Sequence, residues 1–384
     1  MRRLPQLQKP FMIGMMLALT AAPGVLAQDN SGNSSWTSSS QISGPSGTTN
    51  PTRTTQSHSE SGGRVIDKTT TEATDSDGRY RPYQETEKES VRVNDTTTRT
   101  IERIYGRDAD GRRTLLQERQ EETRKLGDEA EKVTRTTSTP DADGRLQVSQ
   151  RELVDSRQAS PGVRDTKTTL FAADPGGALA PKVQTEERET KREGGTVEFK
   201  KSTSIVDLSG NWALSEVREG TTKQSGDGGA VKEENVLRPD ANGRMSVIER
   251  TVTRNTDAGG GETRESVETY SNSVPGQALD DHLQLIQRQT TVHQSGPTGR
   301  LTTTRQVERP NPGDPGAGLR LTQEAIDIVR PGANGTAQQT STVLTSDPDG
   351  RMNTVWVDMG KSDNPAAIHV ETTGGTKPPT AKPK

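Results

Sequence analysis

Apolar side chains fall at fixed places along this chain. Two positions after a recurring glycine stand Tyr80, Leu146, Leu179, Trp212, Met245 and Met352. Six positions before it stand Tyr105, Phe171, Leu237, Tyr270, Val307 and Leu344. The stretches farthest from these glycines, such as Gln84 to Glu89 and Glu186 to Glu193, are almost wholly polar. Segments such as RLQVSQRELVDSR, RMSVIERTVTRNT and RLTTTRQVER are rich in Thr and Val, which favour the pleated conformation. The pattern predicts strands of about 12 residues, each about 40 Å long at roughly 3.3 Å per residue. It also predicts a belt-shaped core along one edge of a sheet, with far ends that are solvated.

The glycines themselves keep a clock. Gly78, Gly111, Gly144, Gly177, Gly210, Gly243 and Gly276 are 33 residues apart, and Gly313 and Gly350 follow at a spacing of 37. Such a period marks a repeat in which one small unit is copied. The repeated words include DSDG, DADG, DANG and DPDG. An Asp at the first position accepts hydrogen bonds from the backbone beyond it. A Gly at the fourth suits a positive φ. Together they predict a type I turn closed by a glycine bulge, a common hairpin connection. A second set of turns lies halfway between, at Asn94-Asp95, Gly127-Asp128, Pro161-Gly162, Gly194-Gly195 and Gly228-Gly229. The fold class expected is therefore all-β: an antiparallel meander of about nine hairpin repeats of 33–37 residues, forming an elongated or curled sheet with disordered termini.

Composition sharpens this picture. Hydrophobic residues make up 26% and aromatics 3%, yet 50 basic residues meet 53 acidic ones for a net charge of −3. Low hydrophobicity without high net charge is only half of the signature of disorder, and the regular turn words argue for order. Residues 1–27 read as a secretory signal peptide: Arg2, Arg3 and Lys9 precede an apolar run that ends at Val25-Leu26-Ala27. Residues 28–62 have the Ser/Gly/Thr-rich composition of a linker. Residues 63–362 carry the repeat array, and 363–384 a Pro- and Lys-containing tail. Without a cysteine the chain has no disulfide and no thiolate metal site. Export without disulfides suits a secreted or periplasmic bacterial protein.

Candidate chemistry is sparse. Of four histidines, His58 lies in the linker, His369 near the tail, and His282 and His293 too far apart for one helical zinc motif. No phosphate-binding loop, nucleophile elbow or dinucleotide fingerprint occurs, and no cofactor is expected. Asp75, Asp77, Asp108, Asp110, Asp141 and Asp143 would line one rim of the sheet, a candidate Ca²⁺ site by ligand type. Arg79, Arg112 and Arg145 follow the same turns and oppose it. Trp212 and Trp356 are suited to stacking on a sugar, but their place near the belt favours core packing. Interleaved charges and few aromatics exclude a nucleic-acid platform. The alternation of charged with charged residues also counts against an outer-membrane barrel, which needs an apolar outward band.

The DANGRM and DADGRL words resemble the tyrosine–aspartate repeats of bacterial shell-forming toxins over four or five residues per unit. The period here is longer and the signature tyrosine is absent, so no function is carried over. The reading that results is an exported, non-enzymatic structural, surface-scaffold or adhesive protein. Two alternatives stand beside it: a carbohydrate- or Ca²⁺-binding envelope module, and a hydrolase with a carboxylate site. Its expected partners are envelope polysaccharide or further copies joined through sheet edges. No membrane span is expected after signal cleavage.

Overall fold

A computed structural model describes residues 34–362, apart from 45–46, 49–50, 109, 175, 226–228, 241, 274–281, 297, 312, 333–335 and 348. The expected signal peptide and tail lie outside the described residues. The strands are β1 (Ser34–Gly44), β2 (Gly47–Thr48), β3 (Thr52–Ser61), β4 (Arg64–Thr74), β5 (Tyr80–Arg92), β6 (Thr97–Arg107) and β7 (Arg113–Lys125). Then come β8 (Ala130–Pro140), β9 (Leu146–Ser160), β10 (Val163–Ala173), β11 (Leu179–Lys191), β12 (Val197–Val206), β13 (Trp212–Gln224) and β14 (Ala230–Pro239). The last are β15 (Met245–Gly259), β16 (Glu262–Ser271), β17 (Gln284–Ser295), β18 (Leu301–Asn311), β19 (Asp314–Pro331), β20 (Ala337–Ser346) and β21 (Met352–Ser362).

Each strand from β3 to β21 pairs antiparallel with the next, as a meander requires. The Asp-Gly words form its tips. Asp75 Oδ1 accepts the amides of Asp77 (3.0 Å) and Arg79 (2.9 Å), and Gly78 takes φ 75°. The same bonds recur at Asp108 and Asp141. Gly111, Gly144, Gly177, Gly210, Gly243 and Gly350 are also left-handed. Gly276 falls outside the described residues. Gly313 departs from the expected turn: the ladder runs on to Asn311 opposite Asp314, and the left-handed glycine there is Gly318 (φ 84°).

The expectation of an elongated or curled sheet is corrected. β1 pairs with β3 on one side and with β21 on the other, from Ser38 opposite Ser362 to Ser43 opposite Val357. The meander therefore closes on itself. Setting aside the two-residue β2, which pairs only with the end of β1, the wall has 20 strands. Closure uses β1 and β3, which lie in the stretch read as a linker. Its Ser and Thr residues suit a strand as well as a coil, so composition alone misjudged it.

The physical basis of closure is a β-bulge repeated at one height. The register slips between Thr71 and Glu72, Ile104 and Tyr105, Thr137 and Ser138, Leu170 and Phe171, Thr203 and Ser204, and Val236 and Leu237. The extra residue is the fifth after the tip glycine, as at Tyr83, Leu116, Ser149, Lys182, Ser215 and Ile248. At two of these, Ser149 and Ser215, the hydroxyl donates to the carbonyl across the strand, Thr137 O and Thr203 O, each at 3.2 Å. A bulge bends its strand and adds right-handed twist. Repeated around the sheet, it supplies the curvature that barrels need.

Closure overturns several expectations. A closed sheet has no unpaired edge, so assembly through sheet edges loses its basis. The scaffold or adhesive ribbon falls with it, as do the glycan- or Ca²⁺-binding module and the hydrolase read onto such a ribbon. The expectation of no membrane span does not stand either, because closed barrels are one of the two backbone arrangements that satisfy themselves in lipid.

Candidate functional site: the inward wall of the barrel

Side chains on a strand alternate between the two faces of a sheet. Following the register around the barrel sorts every strand into two sets. One contains Val133, Val236, Val307, Val329, Val343, Thr291 and Thr303, all buried. Its members converge on the concave side, which shields them. The other is the outward set. Val217, Val252 and Glu118 are buried exceptions within it.

The inward wall is polar and laced with ion pairs. Arg135 in β8 bridges Glu121 in β7 (2.6 Å) and Glu152 in β9 (2.8 Å). Arg218 in β13 meets Glu216 (2.6 Å) and Glu234 in β14 (3.2 Å). His58 Nδ1 lies 2.7 Å from Asp67 Oδ1. Where Gly220 leaves the wall bare, the Phe199 ring covers it, and Lys232 Nζ sits 5.2 Å from the ring centroid. An open hollow of about 410 Å³ is lined by Arg135, Glu152, Ser156, Arg164, Thr166 and Glu187.

Strand number sets the width of the lumen. Twenty strands spaced about 4.8 Å apart and tilted about 40° give a barrel on the order of 40 Å across. Inward side chains reach only a few ångströms from each wall and cannot fill it. Contacts between elements run almost wholly between sheet neighbours, as an open interior requires.

The outward face holds the belt that the sequence pattern assigned to a core. Leu146 (41% exposed), Trp212 (43%), Leu214 (42%) and Val247 (37%) stand in solvent near the Asp-Gly rim. They form a ring because each occupies the same height on its hairpin. Arg53 and Arg113 lie over Tyr80 and Tyr105 in the same ring, 4.6 and 3.5 Å from the centroids. Below the ring the outer wall is charged, with pairs such as Lys132–Asp155 (3.3 Å) and Arg188–Asp165 (2.7 Å). The ring is two outward positions deep, roughly 7 Å along a strand, against an apolar band of about 25 Å in lipid-embedded barrels.

The Asp-rich tips stand at one rim, as their sequence positions dictate. Each first Asp is engaged within its own turn. Hydrogen bonds from the Arg81 side chain and then the Arg79 amide hold the Asp75 carboxyl below the usual carboxylate range. The Arg145 amide does the same for Asp141. Among the described residues no three of His, Asp and Glu converge where they could hold a metal ion. Asp77, Asp110 and Asp143 serve as the third residue of their turns and donate an amide to the first. His293 faces inward and meets Thr303 Oγ1 at 3.0 Å. Sequence reasoning missed the inward wall because both faces carry the same mixture of Thr, Arg and Glu. Only the register separates them.

No protein-family model matches the chain, and no curated protein does. Solved structures of barrels do. An OmpF of Salmonella typhi in complex with daunomycin is 10% identical at a TM-score of 0.37, covering 86% of this chain and 96% of that one. OccK3 (OpdO) of Pseudomonas aeruginosa is 8% identical at 0.41, covering 86% and 94%. A mutant porin of Rh. blastica is 11% identical at 0.30, covering 86% and 98%. At such low identities and scores no function is taken from them, and the barrel rests on the strand pairing of this chain.

Proposed function

We propose that this protein is a wide, non-enzymatic aqueous passage of a bacterial envelope, through which hydrophilic solutes diffuse. The observation that carries this reading is the β1–β21 seam, which turns a polar meander into a tube of 20 strands. A tube of this width with a charged inner wall holds water, as the larger barrels do. The outward ring at the Asp-Gly rim is its lipid-contacting surface. The ring recurs on most hairpins, broken by Glu72, Arg113, Ser138 and Ser204, and lipid meets a surface from every side. A band this short meets a bilayer where the lipid thins and where Lys and Arg beside it snorkel.

The test is solute uptake by proteoliposomes that contain the mature full chain, with vesicles of short and long acyl chains. Swelling in a small sugar is expected, and faster in the thin bilayers. Vesicles that hold folded barrel by circular dichroism, yet stay as tight as protein-free ones in both lipids, would overturn the reading.

A further inference from the structure

Below the ring the outer wall is charged on most strands, but not along the arc that holds the seam. β20 and β1 contain no charged residue. β21 contains Asp358, which faces inward opposite Ser341, and Lys361 near its end. Outward apolar side chains continue down this arc. Ile326 in β19, Thr342 in β20 and Val357 in β21 stand side by side in one row. Ile328, Thr340 and Met359 stand in the next, and Met359 is 56% exposed. From Met352 to Met359 the outward positions of β21 are uncharged. That is about 23 Å of strand at roughly 3.3 Å per residue, or about 18 Å of height at a tilt of about 40°. On β19, Glu324 interrupts the arc and accepts from the Gln306 amide (2.8 Å). The row below is Arg330, Gln338 and Lys361, all exposed. β8 to β11 differ: at mid-wall they carry the outward pairs Lys132–Asp155 (3.3 Å), Lys167–Glu186 (3.3 Å) and Arg188–Asp165 (2.7 Å).

We propose that the outer face of β19, β20, β21 and β1 is a lipid-docking arc, where acyl chains reach below the ring and Arg330 and Lys361 take the phosphates of anionic headgroups. The depth of the uncharged surface approaches the apolar band of about 25 Å in lipid-embedded barrels, and the ring continues into it without a break at Met352. Cations at its lower limit keep their charge in the headgroup layer while their stems lie along apolar surface, and anionic lipid attracts them. A second copy of the chain fits this arc less well. The arc is convex, so another barrel would touch it along a narrow strip, whereas lipid chains follow a curved surface. A two-fold axis along the barrel would also bring the partner's own cation row to the same height. The inference rests on the reading of the barrel as an envelope passage and names the arc where the bilayer is held deepest.

The experiment uses the absence of cysteine from the chain. Spin labels go on Thr340→Cys and Thr134→Cys of the mature full chain, two outward positions that stand at the same place before their tip glycines, Gly350 and Gly144. In vesicles of phosphatidylcholine and phosphatidylglycerol, oxygen should relax the Thr340 label more than a water-soluble nickel complex does, and the order should reverse at Thr134. Two labels that both favour the nickel complex would overturn the arc, and so would two that both favour oxygen. A Thr340 label hidden from both relaxants, with disulfides forming between copies, would assign the face to a second barrel and overturn lipid as its occupant. Arg330→Gln with Lys361→Gln should weaken binding to the anionic vesicles at least fivefold and leave binding to pure phosphatidylcholine unchanged; equal binding to both would remove the headgroup contact. Should Thr340→Cys fail to fold by circular dichroism, Thr342→Cys against Thr136→Cys decides on the same terms. Solute uptake with a water-exposed Thr340 label would sink the arc and leave the passage; a lipid-buried label without uptake would do the reverse.

Discussion

Ser38 in β1 stands opposite Ser362 in β21, 324 positions away in sequence, and their pairing joins the two ends of the sheet. Neither residue carries a signal of its own. The pairing is made by backbone groups, and its consequence is a tube instead of a ribbon.

Removal of residues 34–44 tests that seam. Without β1 the facing edges of β3 and β21 are unpaired, and such edges template association. The intact chain should keep one mass as its concentration rises in sedimentation velocity, while the deletion should show growing species. Equal behaviour of the two would mean that the seam is not formed.

Gly220 is a packing constraint on the inner wall. A Cβ there would lie 2.0 Å from Glu233 O and 2.8 Å from the Phe199 ring. The backbone contact cannot be relieved by a rotamer change, so Gly220→Ala should cost about 1–3 kcal/mol. A shift of the denaturant midpoint at unchanged m-value is the expected record. Phe199→Ala in the same background should recover little, because the carbonyl clash remains.

Acid should weaken the tips. The folded carboxyls of Asp75 and Asp141 lie below their ordinary values. Groups of this kind contribute stability that is present above the unfolded value, near 3.8 to 4, and is lost as pH falls through the folded value. Melting temperature should therefore be flat from pH 7 to about 5 and drop below pH 4. Asp141→Asn removes one such charge and should show a smaller drop between pH 5 and pH 3 than the wild type. An identical acid slope would exclude Asp141 as a contributor.

Trp212 reports on the outward ring. It is half-exposed near the Asp-Gly rim, whereas Lys132 and Asp155 pair lower on the same outer wall. In vesicles, brominated lipid should quench the fluorescence of a variant that keeps only Trp212. A spin label at Lys132 should stay accessible to a water-soluble relaxant. Quenching no greater than in detergent-free solution would remove the ring as a lipid contact.

How much of this was legible follows from the range of each interaction. The tip words predicted hairpins, because an Asp that accepts its own turn amides and a left-handed Gly are decided within five residues, as at Asp75 to Arg79. The belt of Trp212, Leu214 and Val247 was equally visible, yet was assigned to a core and stands outside. Its period marks height on a hairpin, and height does not tell inside from outside. The bulges were not visible, since Tyr83, Leu116, Ser149 and Lys182 share no side-chain character.

By itself, the order of residues settled local matters: where the chain turns, which stretches are extended, and that consecutive strands run antiparallel. Tertiary structure alone decided that the sheet closes and which face looks inward. The reason is additive geometry. Each bulge and each pair of strands contributes a small rotation, and only their sum over 20 strands brings Ser38 to Ser362.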